Sequence, residues 1–192
     1  MTEKLIIIIQ SFIDLTLKDV DCINQLFSKK ELKKGDFFLA DGQVCKQVGF
    51  IVKGLIRYYI NHDGEEKTYA FAQENNFVCN YESFLPQKPS TKIIQALEDC
   101  EMLIISFTDL QIFYKSIAQG ERFGRLVIAQ VFIQLLQDLS SFYTDTPEYR
   151  YEKFIKENPD LHQRISQYHI ASYVGVKPQS LSRIRKRISS QK

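Results

Sequence analysis

The sequence predicts an α+β protein in which an antiparallel β-structure is followed by one long helix and several short helices. Short runs rich in Val, Ile, Tyr and Phe alternate with glycine turns between Phe37 and Phe107. The segment Glu121–Tyr143 contains no Pro and a single Gly, as a long helix requires. A length of 192 residues is typical of one large or two small domains, and we expect a division into 1–143 and 144–192.

Two helices are predicted before the β-structure. The apolar block Leu5–Ile9 is expected to pack a first helix against the core, because it is too short for a membrane span and lacks a signal-peptide cleavage site. No run of 18 apolar residues occurs in the chain, so we expect no membrane contact and a cytoplasmic protein. Between Leu15 and Phe27 apolar residues roughly follow the helical period.

Turn signals separate the predicted strands. Asp63 and Gly64 stand between two β-type runs and give the strongest local hairpin signal. Short strands at roughly ten-residue spacing indicate an antiparallel sandwich or barrel. The predicted strands are Phe37–Leu39, Val48–Val52, Leu55–Ile60, Thr68–Ala72, Ile93–Ala96 and Cys100–Phe107.

The long helix Glu121–Tyr143 is apolar around most of its circumference. Between Leu126 and Leu136, nine of eleven residues are apolar. A surface helix normally buries only one stripe, so this helix needs cover on more than one side. We expect the β-structure on one side and the same helix of a second subunit on the other; a central helix of a monomer is the alternative. The predicted dimer contacts are Phe123, Val127, Val131 and Leu135.

Charge is distributed unevenly along the chain. Residues 161–192 carry seven basic and no acidic side chains, so the remaining 160 residues carry 18 basic and 23 acidic ones, a net of −5. A basic end on an acidic body favours binding to a polyanion. A solvated basic tail is the alternative.

The segment Gln167–Ile188 predicts a helix-turn-helix with a basic outer face. A short helix, Pro147–Lys156, precedes it, with proline at its first position. Gly175 supplies the turn, Val176 fills the corner and Pro178 starts the second helix. Apolar residues form one buried stripe on each helix: Ile170, Ala171 and Val174 on the first, and Leu181, Ile184 and Ile188 on the second. The residues predicted to contact DNA are Lys177, Gln179, Ser180, Ser182, Arg183, Lys186 and Arg187. A structural hairpin with a solvated basic face is the alternative.

These patterns resemble the Crp/Fnr family of bacterial transcription regulators over nearly the whole chain. The runs YESFL, ALEDCEMLIIS, ERFGRLV and ASYVGV followed by SLSRIRK are similar to the branch of the family common in Bacteroidetes. The resemblance implies a sensor domain built as a cyclic-nucleotide-binding-like β-roll, a dimerisation helix and a C-terminal DNA-binding domain. It also implies a homodimer on a palindromic site in double-stranded DNA, contact with RNA polymerase, and a small-molecule effector that the sequence leaves unidentified. The family's hairpin after the recognition helix is not expected, since only Ser189–Lys192 follow Ile188.

The sequence departs from the family members that bind cyclic AMP. Those members hold the ribose with a Gly-Glu pair and the cyclic phosphate with an Arg-Ser pair. Cys79 and Asn80 stand at the first place, and Pro89 and Ser90 at the second. Without the guanidinium a buried phosphate loses a charge-assisted bond, so we do not expect cyclic AMP to bind. Lys88, Lys92 or Glu82 could substitute. The expected effector pocket comprises Asn80, Tyr81, Glu82, Ser83, Ser90 and Thr91.

Other chemistries find little support in the sequence. The four cysteines are scattered without a CxxC pair, so we expect reduced thiols, no metal and no cofactor. A redox switch at Cys79 or Cys100 is the alternative to buried thiols acting as small apolar residues. No common catalytic motif occurs, so we expect no enzyme. A sensor or adaptor without DNA binding remains the rival function.

Overall fold

The computed structural model describes residues 2–190; Lys192, one of the basic residues counted above, lies outside them. The helices are α1 (Thr2–Gln10), α2 (Leu17–Leu26), α3 (Tyr81–Phe84), α4 (Phe107–Ser116), α5 (Gly120–Thr144), α6 (Pro147–Glu157), α7 (Leu161–Arg164), α8 (Gln167–Val174) and α9 (Pro178–Ser189). The strands are β1 (Ser28–Leu32), β2 (Phe37–Leu39), β3 (Gln47–Lys53), β4 (Ile56–His62), β5 (Glu65–Ala72), β6 (Phe77–Val78), β7 (Lys92–Ala96) and β8 (Cys100–Ser106).

Helices α1 and α2 pack their apolar faces into the protein. The Oγ1 of Thr16 accepts the backbone N–H of Asp19 at 3.2 Å, and the Asp19 carboxylate accepts the N–H of Thr16 at 2.8 Å. This reciprocal pair satisfies two donors that the start of a helix leaves unpaired, and it fixes where α2 begins. Leu5 and Ile9 of α1 and Ile23 of α2 are fully buried. The predicted packing of a first helix on the core is confirmed.

Two four-stranded sheets form the antiparallel β-roll, which confirms the predicted fold class. Their strand orders are β1-β8-β3-β6 and β2-β7-β4-β5. In the first sheet β8 is antiparallel to both neighbours, with Met102 opposite Lys30 on one side and Ile51 on the other. Phe50, Ile51, Met102 and Leu103 are buried, so the core lies along these two central strands.

Some strands differ from the prediction. Strand β1 was missed because its sequence SKKEL buries only Leu32, and it pairs at an edge of its sheet. Phe107 was predicted to end a strand, but it is the first residue of α4. The reason is a cap: the Oγ of Ser106 accepts the backbone N–H of Asp109 at 3.0 Å. The six predicted strands are otherwise present with shifted ends.

The chain forms two compact units. The first comprises Met1–Tyr58 and Phe71–Phe132, and the second Tyr59–Ala70 and Ile133–Lys192. The second unit therefore contains the tip of the β4–β5 hairpin together with α6 to α9. The boundary predicted from the sequence, between residues 143 and 144, remains a proposal.

Candidate functional site

The α8–α9 pair separates a buried apolar face from an exposed polar one. Leu181 and Ile184 of α9 are buried, as are Ile170, Ala171 and Val174 of α8. This is the pattern expected of two helices that pack against each other. The side chains left outside on α9 are Gln179, Ser180, Ser182, Arg183, Lys186 and Arg187, and Lys177 precedes them at the N-cap position.

Gly175 makes the turn between the two helices. Its φ of 83° lies in the left-handed region, which costs glycine little and other residues more. The N–H groups of Gly175 and Val176 both donate to the carbonyl of Ala171, at 3.0 and 2.9 Å. The turn therefore satisfies a carbonyl that the end of α8 would otherwise leave open.

Arg150 of α6 braces this turn from the outside. Its Nε and Nη2 donate to the carbonyl of Val174 at 3.1 and 2.8 Å, and its Nη1 donates to the carbonyl of Asp145 at 2.6 Å. The guanidinium also lies 4.9 Å from the ring centroid of Phe142. A cation is favoured at the C-terminal end of a helix, where carbonyls point outward. Arg150 thus holds the end of α8 against the junction between α5 and α6.

Two of the exposed cations already have acidic partners. Lys177 Nζ lies 2.6 Å from Glu65 Oε1 on the β4–β5 hairpin, and Arg187 Nη2 lies 3.0 Å from Glu148 Oε2 on α6. The pKa of Glu65 is lowered to about 2, because Lys177 and then Lys67 donate to its carboxylate. Both ion pairs lie at the surface, so they leave Lys177 and Arg187 able to exchange their partners for other anions.

The hairpin meets α8 through one serine. The Oγ of Ser172 accepts the backbone N–H of Thr68 at 2.9 Å and donates to the carbonyl of Glu66 at 3.0 Å. A single hydroxyl therefore serves both a donor and an acceptor of β5.

The first turns of α5 belong to the core of the first unit. Phe123 is buried, and its ring lies 5.6 Å from that of Phe12, 5.8 Å from Phe77 and 5.7 Å from Phe113. Phe123 is therefore covered largely by its own chain, and its contact with a second subunit stays a prediction.

Farther along α5, large apolar side chains are exposed in a regular row, which we call the α5 seam. The seam residues alternate in steps of four and three and are 36–60% exposed: Ile128, Phe132, Leu135, Leu139 and Phe142. Such spacing keeps a row facing one direction, as in coiled coils. The row of dimer contacts predicted from the sequence used steps of four residues throughout. Four residues make slightly more than one helical turn, so such a row winds gradually around the helix. Of its members, Leu135 lies in the seam, Val131 is exposed beside it and Val127 is half-buried.

Helix α5 is also long and apolar enough to cross a membrane. Its most apolar 18-residue window has a mean hydropathy of 1.3, and none of that window is buried within the chain. Among the described residues it is the one helix of this kind. By length and composition α5 could cross a membrane, and the described part of the chain does not cover the seam.

The polar side chains predicted to line an effector pocket bond to one another. Asn80 Nδ2 donates to Ser90 Oγ at 2.6 Å, and Asn80 Oδ1 accepts the N–H of Glu82 at 3.2 Å. The same Ser90 Oγ donates to the carbonyl of Lys92 at 2.8 Å and accepts its N–H at 2.9 Å. Asn80 and Ser90 are both buried. Their bonding capacity is therefore largely used within the chain.

The remaining predicted pocket residues follow the same pattern, with one exception. Ser83 Oγ accepts the backbone N–H of Cys45 at 2.9 Å and donates to the carbonyl of Lys88 at 2.5 Å. Glu82 forms an ion pair with Lys92. Burial raises the pKa of Tyr81, which lies beside Tyr114 on α4. The exception is Thr91, which is exposed.

Comparison with known proteins finds a matching family for part of the chain and solved structures with a similar fold. Residues 29–116 match the family described as "Cyclic nucleotide-binding domain". A crp/fnr-family transcriptional regulator from Eubacterium rectale superposes with a TM-score of 0.71 at 18% identity, over 93% of this chain and 85% of that one. The fold is that of the Crp/Fnr family. The resemblance expected from the sequence is confirmed.

Further members of the Crp/Fnr fold agree with this identification. FixK2 from Bradyrhizobium japonicum matches with a TM-score of 0.70 at 16% identity, over 86% of this chain and 85% of that one. The catabolite activator protein of Thermus thermophilus matches with a TM-score of 0.57 at 19% identity, over 94% and 86%. A search of curated proteins finds no match.

Sequence reasoning missed three features of the site. They are the brace formed by Arg150, the ion pair between Glu65 and Lys177, and the closeness of Cys45 to Cys79, whose Sγ atoms lie 3.9 Å apart. Each of these contacts joins residues that are distant in the sequence, so no local sequence pattern predicts it. A single Arg followed by a predicted helix-turn-helix carries no signal of its own.

Replacing Arg150 by Met should loosen the packing of the α8–α9 pair while retaining most of the apolar stem of the side chain. Losing hydrogen bonds from a charged donor costs about 1.5–3 kcal/mol, so amide hydrogen exchange in residues 161–189 should accelerate by roughly one to two orders of magnitude. Hydrogen–deuterium exchange with mass spectrometry measures this, and exchange in β3 and β8 is the internal control. Arg150→Lys should recover little, since an ammonium cannot reproduce the fork of donors. Unchanged exchange in residues 161–189 would show that the brace contributes nothing.

Cyclic AMP should bind no more tightly than millimolar in isothermal titration calorimetry. The reason is the absence of the phosphate-binding Arg at Pro89, and the engagement of Asn80 and Ser90 with each other. A micromolar dissociation constant would contradict this expectation. Lys88 would then be the first residue to replace, because Lys92 already pairs with Glu82.

Proposed function

We propose that the chain is a sequence-specific DNA-binding transcription regulator that acts as a homodimer in the cytoplasm. The observation that carries the proposal is the α8–α9 pair. A left-handed glycine turn joins the two helices, which bury their apolar faces and leave a face of Gln, Ser, Arg and Lys exposed. A helix of this kind fits the major groove, where Arg and Gln pair with base edges and Lys neutralises phosphates.

The α5 seam supports the homodimer. A second copy presents the same row of apolar side chains, so two seams related by a two-fold axis cover each other. The two recognition helices of such a dimer read two half-sites about one turn of DNA apart, roughly 34–36 Å, which is why we propose a palindromic site. We favour a second copy over lipid because the row alternates in steps of four and three, a property that a membrane span does not need.

The sensor part of the proposal is a degenerate effector pocket. The hydrogen bond between Asn80 and Ser90, and those of Ser83 to the backbone of Cys45 and Lys88, favour a domain that has kept the shape of a cyclic nucleotide-binding domain without its ligand chemistry. A different small-molecule effector remains part of the proposal. Contact with RNA polymerase rests on the family resemblance alone, and no enzymatic activity is proposed.

The rival function is a sensor or adaptor that does not bind DNA. The ion pairs of Lys177 and Arg187 are the observation that favours it, since two of the exposed cations already have acidic partners. Arg183 and Lys186 remain exposed on α9. Selection of bound fragments from a random-duplex pool separates the two functions: the regulator enriches a palindromic motif, and the adaptor enriches none.

The wild-type protein should be a dimer of 22.4 kDa chains, and Leu135→Glu should make it a monomer. An unpaired buried charge costs about 3–5 kcal/mol, and the symmetric seam would contain two of them. Light scattering after size exclusion measures the mass. Gln130→Glu is the matched control. Gln130 is exposed on the side of α5 away from the seam, so this substitution should leave the dimer intact. A wild-type monomer at micromolar concentration would remove the basis for the dimer.

Arg183 should read a base, whereas Lys186 should hold a phosphate. On the motif selected with the wild-type protein, Arg183→Ala should cost about 1–3 kcal/mol and relax preference at one position per half-site. Lys186→Ala should weaken binding to all sequences alike and lower the salt slope by about one. Fluorescence anisotropy on the motif and on random duplex, across a salt series, distinguishes the two effects.

The matched control for Arg183 is Arg185→Ala. This substitution removes the same charge from an exposed residue that is not among the predicted DNA contacts, so base preference should not change. An equal loss on both duplexes for Arg183→Ala would make Arg183 a phosphate contact. If neither Arg183→Ala nor Lys186→Ala alters DNA affinity, the exposed face of α9 is not a DNA-binding surface.

A further inference from the structure

Two cysteines that are distant in the sequence lie side by side in the first unit. Cys45 stands two residues before β3, and Cys79 directly follows β6. Strands β3 and β6 pair with each other, with Gly49 opposite Val78 and Phe50 opposite Phe77. The paired strands bring the two thiols together, and their Sγ atoms lie 3.9 Å apart.

The surroundings hold Cys45 firmly in this place. Its backbone N–H donates to Ser83 Oγ at 2.9 Å, and its carbonyl accepts Gln87 Nε2 at 3.2 Å. Cys45 is 2% exposed, while Cys79 is half-buried. A disulfide has an S–S length of about 2.0 Å, so closing the bond requires the two sulfurs to approach by roughly 2 Å from their separation of 3.9 Å.

The electrostatics of the pair favour one thiolate. The pKa of Cys45 is lowered to about 7, chiefly by its hydrogen-bonding contact with Cys79 and, to a smaller extent, by bonds to the backbone of Asn80 and Gln47. The pKa of Cys79 is raised, because its proton is held by Cys45 and because it is buried. A thiolate is the nucleophilic form of cysteine, and here its resolving partner is already in contact.

We propose that Cys45 and Cys79 form an oxidant-reactive dithiol that closes reversibly into an intramolecular disulfide when a hydroperoxide is the oxidant. This site goes beyond the proposed DNA-binding function and does not depend on it. The contact between two thiols distinguishes this site from Cys22 and Cys100, for which no such thiol partner occurs among the described residues.

The reaction balances in two steps. Cys45 first loses its proton to solvent; its thiolate attacks one oxygen of hydrogen peroxide, the O–O bond breaks, and the leaving hydroxide takes up that proton as water, which gives a sulfenic acid at Cys45. The sulfur of Cys79 then attacks the Cys45 sulfur, the S–O bond breaks, and the hydroxyl leaves as water with the proton of Cys79. Two thiols are oxidised by two electrons, and one peroxide is reduced to two waters. A small oxidant suits the limited exposure of Cys45.

The disulfide would form at the edge of the predicted effector pocket. Cys79 directly precedes Asn80, the N-cap of α3, and Cys45 bonds to Ser83 within α3. Closing the bond would tie the segment before β3 to the start of α3. An oxidant would in this way act on the same few residues that the family resemblance assigns to an effector.

The test uses the full-length reduced protein, treated with hydrogen peroxide, blocked with N-ethylmaleimide and digested with trypsin without reductant. The expected result is a cross-linked pair of tryptic peptides, 35–46 with 68–92, as the dominant linkage. The intact monomer should lose about 2 Da, and dithiothreitol should restore both free thiols.

Matched variants separate this pair from the other thiols. Cys22→Ala should leave the linkage unchanged, while Cys45→Ala and Cys79→Ala should each abolish it, with circular dichroism showing that the variants are folded. Because the linkage is mapped in the wild-type chain, the test holds even if a variant does not fold. Recovery of Cys45 and Cys79 as maleimide adducts after peroxide, or linkage mainly to Cys22 or Cys100, would overturn the proposal. DNA binding does not enter this readout, so the two proposals fail independently.

Discussion

The packing of Phe123 against three other phenylalanines fixes where the long helix begins. The partners come from different parts of the chain, since Phe12 follows α1, Phe77 lies in β6 and Phe113 lies in α4. Aromatic rings meeting edge to face at these distances bury much apolar area and add a preference for one geometry. The start of α5 is therefore tied to the β-roll, and the exposed seam begins only at Ile128. Every property proposed for the seam depends on this division between a part covered by its own chain and a part left open.

Most of the secondary structure could be predicted because burial follows local periodicity. Helix α9 is an example, since Leu181 and Ile184 are buried as their spacing indicates. The cover that its own chain gives Phe123 could not be predicted for a physical reason: an apolar helix shows that several sides are covered but not which residues its own chain covers. The polar edge strand β1 had no alternating pattern to detect. Contacts such as Arg150 to Val174 arise only once the chain is folded.

The expected effector pocket uses most of its polar groups within the chain. Residues 29–116 match the family described as a cyclic nucleotide-binding domain; within them Asn80 and Ser90 of the expected pocket bond to each other, and Ser83 bonds to the backbone of Cys45 and Lys88. Buried polar groups need hydrogen-bond partners whether or not a ligand supplies them. Asn80, Ser83 and Ser90 find those partners in the chain. A shared architecture therefore carries information about shape, and the side chains decide what the shape can bind.

The hydroxyl of Ser172 also forms hydrogen bonds with the backbone at the edge of a sheet. Strand β5 is the outermost strand of its sheet, and an outer strand offers unpaired N–H and carbonyl groups to any other extended chain. Ser172 occupies the N–H of Thr68 and the carbonyl of Glu66 at this edge. Whatever draws α8 away from the hairpin uncovers a template for strand-by-strand association between molecules. One small side chain thus links the position of a helix to the resistance of the folded protein to aggregation.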